Sequence, residues 1–242
     1  MTTDVLAQGG SIEPPGKHIA QFEFLGMMFN GDTMWTSAIA ALIVLGGAFF
    51  VRSRITSGVP GGVQLAYEGV TNYLSDQVES RLGRRPAAFA IPLTVTLFSF
   101  ILVANWLQVF PSGHPELLKP PTADANLPYA MALFTMGCVW FFGIRENGLR
   151  YFKHFVQPSV VMLPINAIEE IVKPVTLSLR LFGNILSGTI MISLITLFPA
   201  WLLWVPNTAW KLFDLFIGAI QAFIFSLLTV IYFSQAAGEE QG

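Results

Sequence analysis

The 242 residues are 53% hydrophobic and only 12% charged, with a mean hydropathy of +0.60. A soluble domain carries roughly 25% charged residues, so this composition excludes an ordinary globular protein and places the chain in a membrane. A net charge of −2 gives no sign of nucleic-acid binding, and the single cysteine, Cys138, excludes a disulfide framework or a thiolate metal site within one chain. The histidines, His18, His114 and His154, are scattered without an HxxxH or HExxH pair, so neither metal nor cofactor is expected.

Residues 1–33 read as a polar external arm. They do not read as a secretory signal, because they lack a basic region and are interrupted by Asp4, Glu13, Pro14 and Pro15. Residues 34–51 carry no charge and end at Arg52 and Arg54, which makes a minimal spanning helix. After the turn SGVPGG, residues 63–82 interleave Leu65, Val70, Tyr73, Leu74 and Val78 with Glu68, Asp76, Glu79 and Arg81. That segment is too charged to span and is expected as an amphipathic helix on the membrane surface or against a partner.

Residues 87–110 form a second span, polar only at its exit (Asn105, Gln108), followed by a Pro-rich loop with Glu116, Lys119 and Asp124. Residues 127–144 form a third, closed by Arg145. From residue 161 the chain reads as helix to residue 198, broken or bent at Pro164 and Pro174. About 38 residues would make roughly 57 Å of helix, against a hydrocarbon core of about 30 Å, so this element must tilt steeply, bend or protrude. A short loop leads to a last span at 210–233, and residues 234–242 form an acidic tail. The fold expected is an all-α polytopic membrane protein: five transmembrane helices, one amphipathic surface helix, and a long tilted or bent hairpin of 161–198 and 210–233. Arg52, Arg54, Arg81, Arg84, Arg85, Arg145, Arg150 and Lys153 fall on one side, and only Lys17 and Lys119 on the other. The positive-inside rule then puts the N-terminus outside and the C-terminus in the cytoplasm. No internal repeat is apparent.

Val175–Phe198 is long enough to cross a bilayer and carries one charge, Arg180. A cation at membrane depth costs at least about 2.5–3.5 kcal/mol, and an arginine cannot shed its proton to escape. Glu169, Lys173, Thr176, Arg180, Asn184 and Ser187 recur at spacings of three and four, which aligns them in one polar stripe. Such a stripe faces water or protein rather than lipid. It is either a hydrogen-bonded seam that glues the bundle or a functional path, and a permanent cation favours the path. In the last helix Asp214, Gly218, Gln221, Phe225 and Tyr232 share a face. Asp214, one turn inside the external end, is either an interfacial carboxylate or a channel group, and Gln221 either a packing contact or a channel group. Apposed, the two stripes would make a polar seam. Gly183, Ser187, Gly188, Gly218 and Ala219 read as close-packing residues, and Glu169 and Glu170 as a solvated cytoplasmic helix end.

The runs PINAIEEIVKPVTLSLRLFGNILSG and DLFIGAIQAFIFSLLTVIYFSQA resemble subunit a of the F-type ATP synthase, in its Fo sector. FNGDT, GVPGGVQLAYE, NWLQVFP and PTADANLPYAMAL extend the likeness over residues 20–236, and the wording is similar to actinobacterial and mycobacterial members. The resemblance implies a stator beside a c-ring, held by subunit b and the peripheral stalk, in the lipid bilayer of a bacterial plasma membrane. Two aqueous half-channels would load and unload protons on ring carboxylates. The chain itself would not be an enzyme but a non-catalytic, proton-translocating part of the complex. The family's essential arginine falls on Arg180, its asparagine on Asn184, its last-helix glutamine on Gln221, and its half-channel position on Asp214. Asn105, Asp124 and Asn126 match positions around the external entry. Glu169 and Glu170 match an acidic pair near the cytoplasmic exit. Thr176, Ser187 and Tyr232 are carried as further half-channel lining. Thr189 stands where many members have Glu or His, so Asp214 or water must carry more of the entry relay. The alternative is a secondary transporter binding an anionic solute at Arg180, disfavoured by the five spans and the lack of repeats.

Overall fold

The computed structural model describes residues 21–24, 27–55, 61–82, 84–107, 120–148, 151, 161, 163–199 and 201–237. Most of the polar arm, the end of the second span beyond Leu107, most of the Pro-rich loop and most of the acidic tail lie outside the described residues.

Among the described residues, six long helices carry the fold: α1 (Gly31–Arg54), α2 (Gly62–Leu82), α3 (Arg84–Trp106), α4 (Asn126–Asn147), α5 (Leu163–Ile195) and α6 (Trp204–Ala237). All but α2 are long and apolar enough to cross a membrane. A small antiparallel hairpin, β1 (Gln21–Phe24) and β2 (Met27–Asn30), precedes α1, with Gln21 paired to Asn30 and Phe24 to Met27. It lies within the arm and leaves the membrane portion all-α.

Several helix ends differ from the hydropathy reading. α1 starts at Gly31, with Asp32 in its first turn and Arg52 and Arg54 in its last, each charge complementing the helix dipole. Charges stop an apolar run, but at these ends they stabilise the helix, so it outlasts the run. α5 is unbroken at both prolines. Pro164 sits in the first turn, where its missing N–H has no bond to lose. Pro174 is buried inside the helix, and the Ser178 hydroxyl donates to its carbonyl at 2.9 Å. α6 begins at Trp204, six residues before Trp210, so Asp214 lies about three turns inside the helix rather than one. At 33 and 34 residues, α5 and α6 are each about 50 Å long and exceed the hydrocarbon thickness.

The core runs along α6. Val78 and Leu82 of α2, Ala90 of α3, Val139 and Phe142 of α4 and Val230, Phe233 and Ala236 of α6 form one cluster. Within it Phe142 and Phe233 meet edge to face at 5.4 Å. A second cluster joins Leu97 and Ile101, Met131 and Ala132, Leu177 and Leu181, and Ala222 and Phe225. α1 attaches to α3 through Ala40, Ala104 and Leu107. The amphipathic reading of α2 has a physical basis here. Leu74, Val78 and Leu82, at four-residue spacing, are buried against the bundle, while Asp76, Glu79 and Arg81 are exposed.

Candidate functional site

The buried residues of α5 are Pro174, Leu177, Ser178, Leu181, Ile185, Gly188 and Ile195. They form the stripe that meets α4 and α6. Glu169, Thr176, Arg180 and Ser187 lie on another face and are exposed, with Lys173 and Asn184 at its margin. The two polar stripes meet at Lys173 and Tyr232, whose ring centroid lies 5.5 Å from the ammonium, while Arg180 is exposed. Burial of the apolar and small residues wins the inward face, and Arg180 turns away from the chain's own core. No carboxylate among the described residues pairs with it. Around it the outward face is apolar, with Ile168, Ile171, Val172, Val175, Leu179, Ile190 and Leu194 exposed. A cation in such a surface is costly wherever it faces lipid.

α6 does the reverse. Asp214 and Gln221 are 5% and 6% exposed, in the stripe that also buries Gly218, Ala222 and Phe225. The Asp214 carboxylate packs on Gly188. A Cβ at 188 would stand 3.3 Å from Oδ2 and 3.4 Å from Oδ1. α3 meets α6 just as closely, since a Cβ on Gly218 would lie 3.0 Å from Asn105 Cβ. Asn105, 1% exposed, donates from Nδ2 to the Gly218 carbonyl at 3.2 Å and accepts from the Thr122 hydroxyl at 3.1 Å. Trp106 Nε1 donates to the Leu215 carbonyl at 3.1 Å. Asn105 thus meets α6 at Gly218, about one turn from Asp214, and Thr122 is a neighbour the sequence reading passed over.

Asp124 and Asn126 sit further out. The Asp124 carboxylate accepts from Asn30 Nδ2 at 2.6 Å, the Thr33 hydroxyl at 2.9 Å and the Asn126 backbone N–H at 3.0 Å. It ties the loop before α4 to the start of α1.

Two buried amide donors, Asn184 Nδ2 and Gln221 Nε2, have no protein acceptor among the described residues. The hydroxyls of Thr176, Ser187 and Thr189 donate back to carbonyls of their own helix, at 3.0, 2.8 and 3.0 Å. Thr189 is exposed and does not face Asp214 across the α5–α6 contact; Gly188 does.

At the other end of α5, Glu170 bonds Lys173 at 2.7 Å and accepts from Trp140 Nε1 at 2.6 Å. The Lys173 ammonium stands 5.5 Å from the centroid of the Tyr232 ring on α6. The Tyr151 phenol, in the segment after α4, is pushed up to about 12, first by burial and then by the Glu170 charge. Trp140 carried no signal in sequence, because an indole on an apolar helix reads as a lipid contact.

The family model for the ATP synthase A chain matches residues 34–234. The chain is 50% identical to the ATP synthase subunit a of Mycobacterium marinum, over all of this chain and 99% of that protein. It is 48% identical to that of Mycobacterium tuberculosis over the same shares. With that of Acidothermus cellulolyticus it shares 47% identity over 88% of this chain and 79% of that protein. Five helices able to span a membrane, and sequence agreement from end to end, show that the chain belongs to the ATP synthase A chain family and is a membrane subunit of that complex.

Proposed function

We propose that this chain is the stator of a proton-driven rotor, lining two aqueous half-channels that meet at Arg180. The single observation that carries this reading is the division of polar groups between α5 and α6. α5 presents a cation outward on a long apolar face, while α6 keeps a carboxylate and an amide inward.

The physics follows from charge and solvation. A ring carboxylate stripped of its proton in lipid is very unfavourable. Opposite Arg180 it stays ionised, because a nearby cation favours the charged form. Once past Arg180 and facing lipid, it must carry a proton. Arg180 thereby separates the half-channels and stops protons short-circuiting between them. Protons enter from the external side past Asn105 and Asp214, with the orphan amides of Asn184 and Gln221 holding water or the ring carboxylate near the arginine. They leave on the cytoplasmic side beside Glu169 and Tyr232. The c-ring supplies the missing counter-charge. Subunit b and the peripheral stalk keep the chain from turning with the ring, the N-terminus lying outside and the C-terminus in the cytoplasm.

An anionic-solute transporter would need a polar pocket at Arg180. The pocket that opens between α2, α3 and α6 is lined by Gly69, Val70, Tyr73, Leu74, Phe98 and Phe223, none of them charged. The test is Arg180→Ala in membrane vesicles carrying the whole complex. ATP-driven proton pumping should be abolished, and pumping at the wild-type rate would refute the reading.

A further inference from the structure

The acidic pair at the start of α5 is not a pair of equivalent carboxylates. Glu170 turns into the chain. Its Oε1 accepts from Trp140 Nε1 of α4 at 2.6 Å, and its Oε2 accepts from Lys173 Nζ at 2.7 Å. The Lys173 and Glu170 side chains retain 16% and 15% exposure, so solvent screens this ion pair only weakly. Lys173 in turn lies over the Tyr232 ring of α6. One carboxylate therefore links α4, α5 and α6. Adding a proton to it would give up the ion pair and weaken the charge-assisted bond to the indole. Glu169 is the next residue, about 100° around the helix. It is exposed on the face that carries Thr176 and Arg180, and no hydrogen bond or ion pair holds it among the described residues.

We propose that the two glutamates have separate roles. Glu169 is the exchangeable carboxylate that passes protons between the outward face of α5 and water. Glu170 is a positioning residue, an ionised strut that sets α5 against α4 and α6 and so keeps Arg180 aimed outward, about 15 Å further along the helix. This rests on the stator reading above. The charged and titratable groups at this end of α5 are Lys173 one turn along the helix, Glu170 beside Glu169, Tyr232 of α6 under the Lys173 ammonium, and Tyr151 after α4, on which the Glu170 charge acts. From α4 comes Trp140, which does not titrate and is engaged by Glu170.

The experiment uses inverted membrane vesicles carrying the whole complex. ATP-driven pumping is followed against the pH of the ATP-side medium, and the assembled complex is quantified in the same membranes. Glu169→Gln should assemble normally, pump several-fold more slowly and lose the wild-type dependence on that pH. Glu170→Gln should keep the wild-type pH midpoint but lower the amount of assembled complex, because Lys173 is left without its partner. Adding Lys173→Met to Glu170→Gln should restore assembly. A shifted midpoint in Glu170→Gln, a wild-type profile in Glu169→Gln, or no rescue by Lys173→Met would each overturn the division of roles. Arg180→Ala run in parallel separates the two failures. If it abolishes pumping while Glu169→Gln is silent, only the division falls; if it pumps normally, both fall.

Discussion

Gly188→Ala probes the contact between α5 and Asp214. The new methyl would sit 3.3 Å from Asp214 Oδ2, 3.4 Å from Oδ1 and 3.6 Å from Cγ. Comfortable contacts between non-bonded heavy atoms begin at about 3.5 Å, so the carboxylate must retreat by a few tenths of an ångström. Overpacking of this kind costs about 1–3 kcal/mol. The low end applies, because a side chain moves rather than a backbone. If about 1 kcal/mol falls on the step in which Asp214 exchanges its proton, entry slows roughly five-fold, since 1.4 kcal/mol is a factor of ten. The assay is ATP synthesis driven by an imposed proton gradient in vesicles, compared with Asp214→Asn, which keeps the shape and removes the titration. If Gly188→Ala acts through Asp214, the double variant Gly188→Ala/Asp214→Asn will be no slower than Asp214→Asn alone. Effects that multiply instead would show that the glycine serves helix packing only. A silent Gly188→Ala with normal Asp214→Asn kinetics would refute the reasoning altogether.

Gly218→Ala should act on stability first. Its Cβ would stand 3.0 Å from Asn105 Cβ, where α3 and α6 meet, and relief requires the helices to part and stretch the Asn105 bond to the Gly218 carbonyl. A loss of about 1–3 kcal/mol is expected, read as a lower midpoint of thermal unfolding of the detergent-solubilised complex; an unchanged midpoint would show that the contact is slack. Thr189→Val should be mild, with pumping within about two-fold of wild type, because the hydroxyl only donates to the carbonyl of Ile185 on its own helix. Complete loss of coupling would mean that Thr189 carries part of the proton path.

Much of the architecture was legible without coordinates. Hydropathy identified five spans, and the charges within 63–82 separated α2 from them. The three-and-four spacing of Glu169, Lys173, Thr176, Arg180, Asn184 and Ser187 put these residues in one helical stripe; in the structure Glu169, Thr176, Arg180 and Ser187 are exposed and Lys173 and Asn184 half-buried at its margin. These features survive because they are local. Helical periodicity and the free-energy penalty of a charge in lipid act on each segment whatever its neighbours do. Helix ends were less legible. The run of Trp204–Ala209 contains Pro206 and Asn207 and reads as loop, yet it forms the first turns of α6, where a proline is tolerated.

The direction in which each stripe points was not written in the chain. Periodicity says which residues share a face, but not which face meets which neighbour. That choice belongs to packing. Leu177, Leu181, Ile185 and Gly188 are buried against the bundle, so the polar stripe of α5 turns to another face. The same logic separates Glu169 from Glu170. They are adjacent in sequence and indistinguishable by composition, but only one can reach Trp140, thirty residues earlier on another helix. Asp214 meets Gly188, while Thr189, the position where the resemblance puts Glu or His in many members, is exposed on the next face. The sequence alone determined that an unavoidable cation crosses the membrane on a long helix. Tertiary packing decided that this cation faces away from its own chain's core, and the proposed stator reading gives its counter-charge to another subunit.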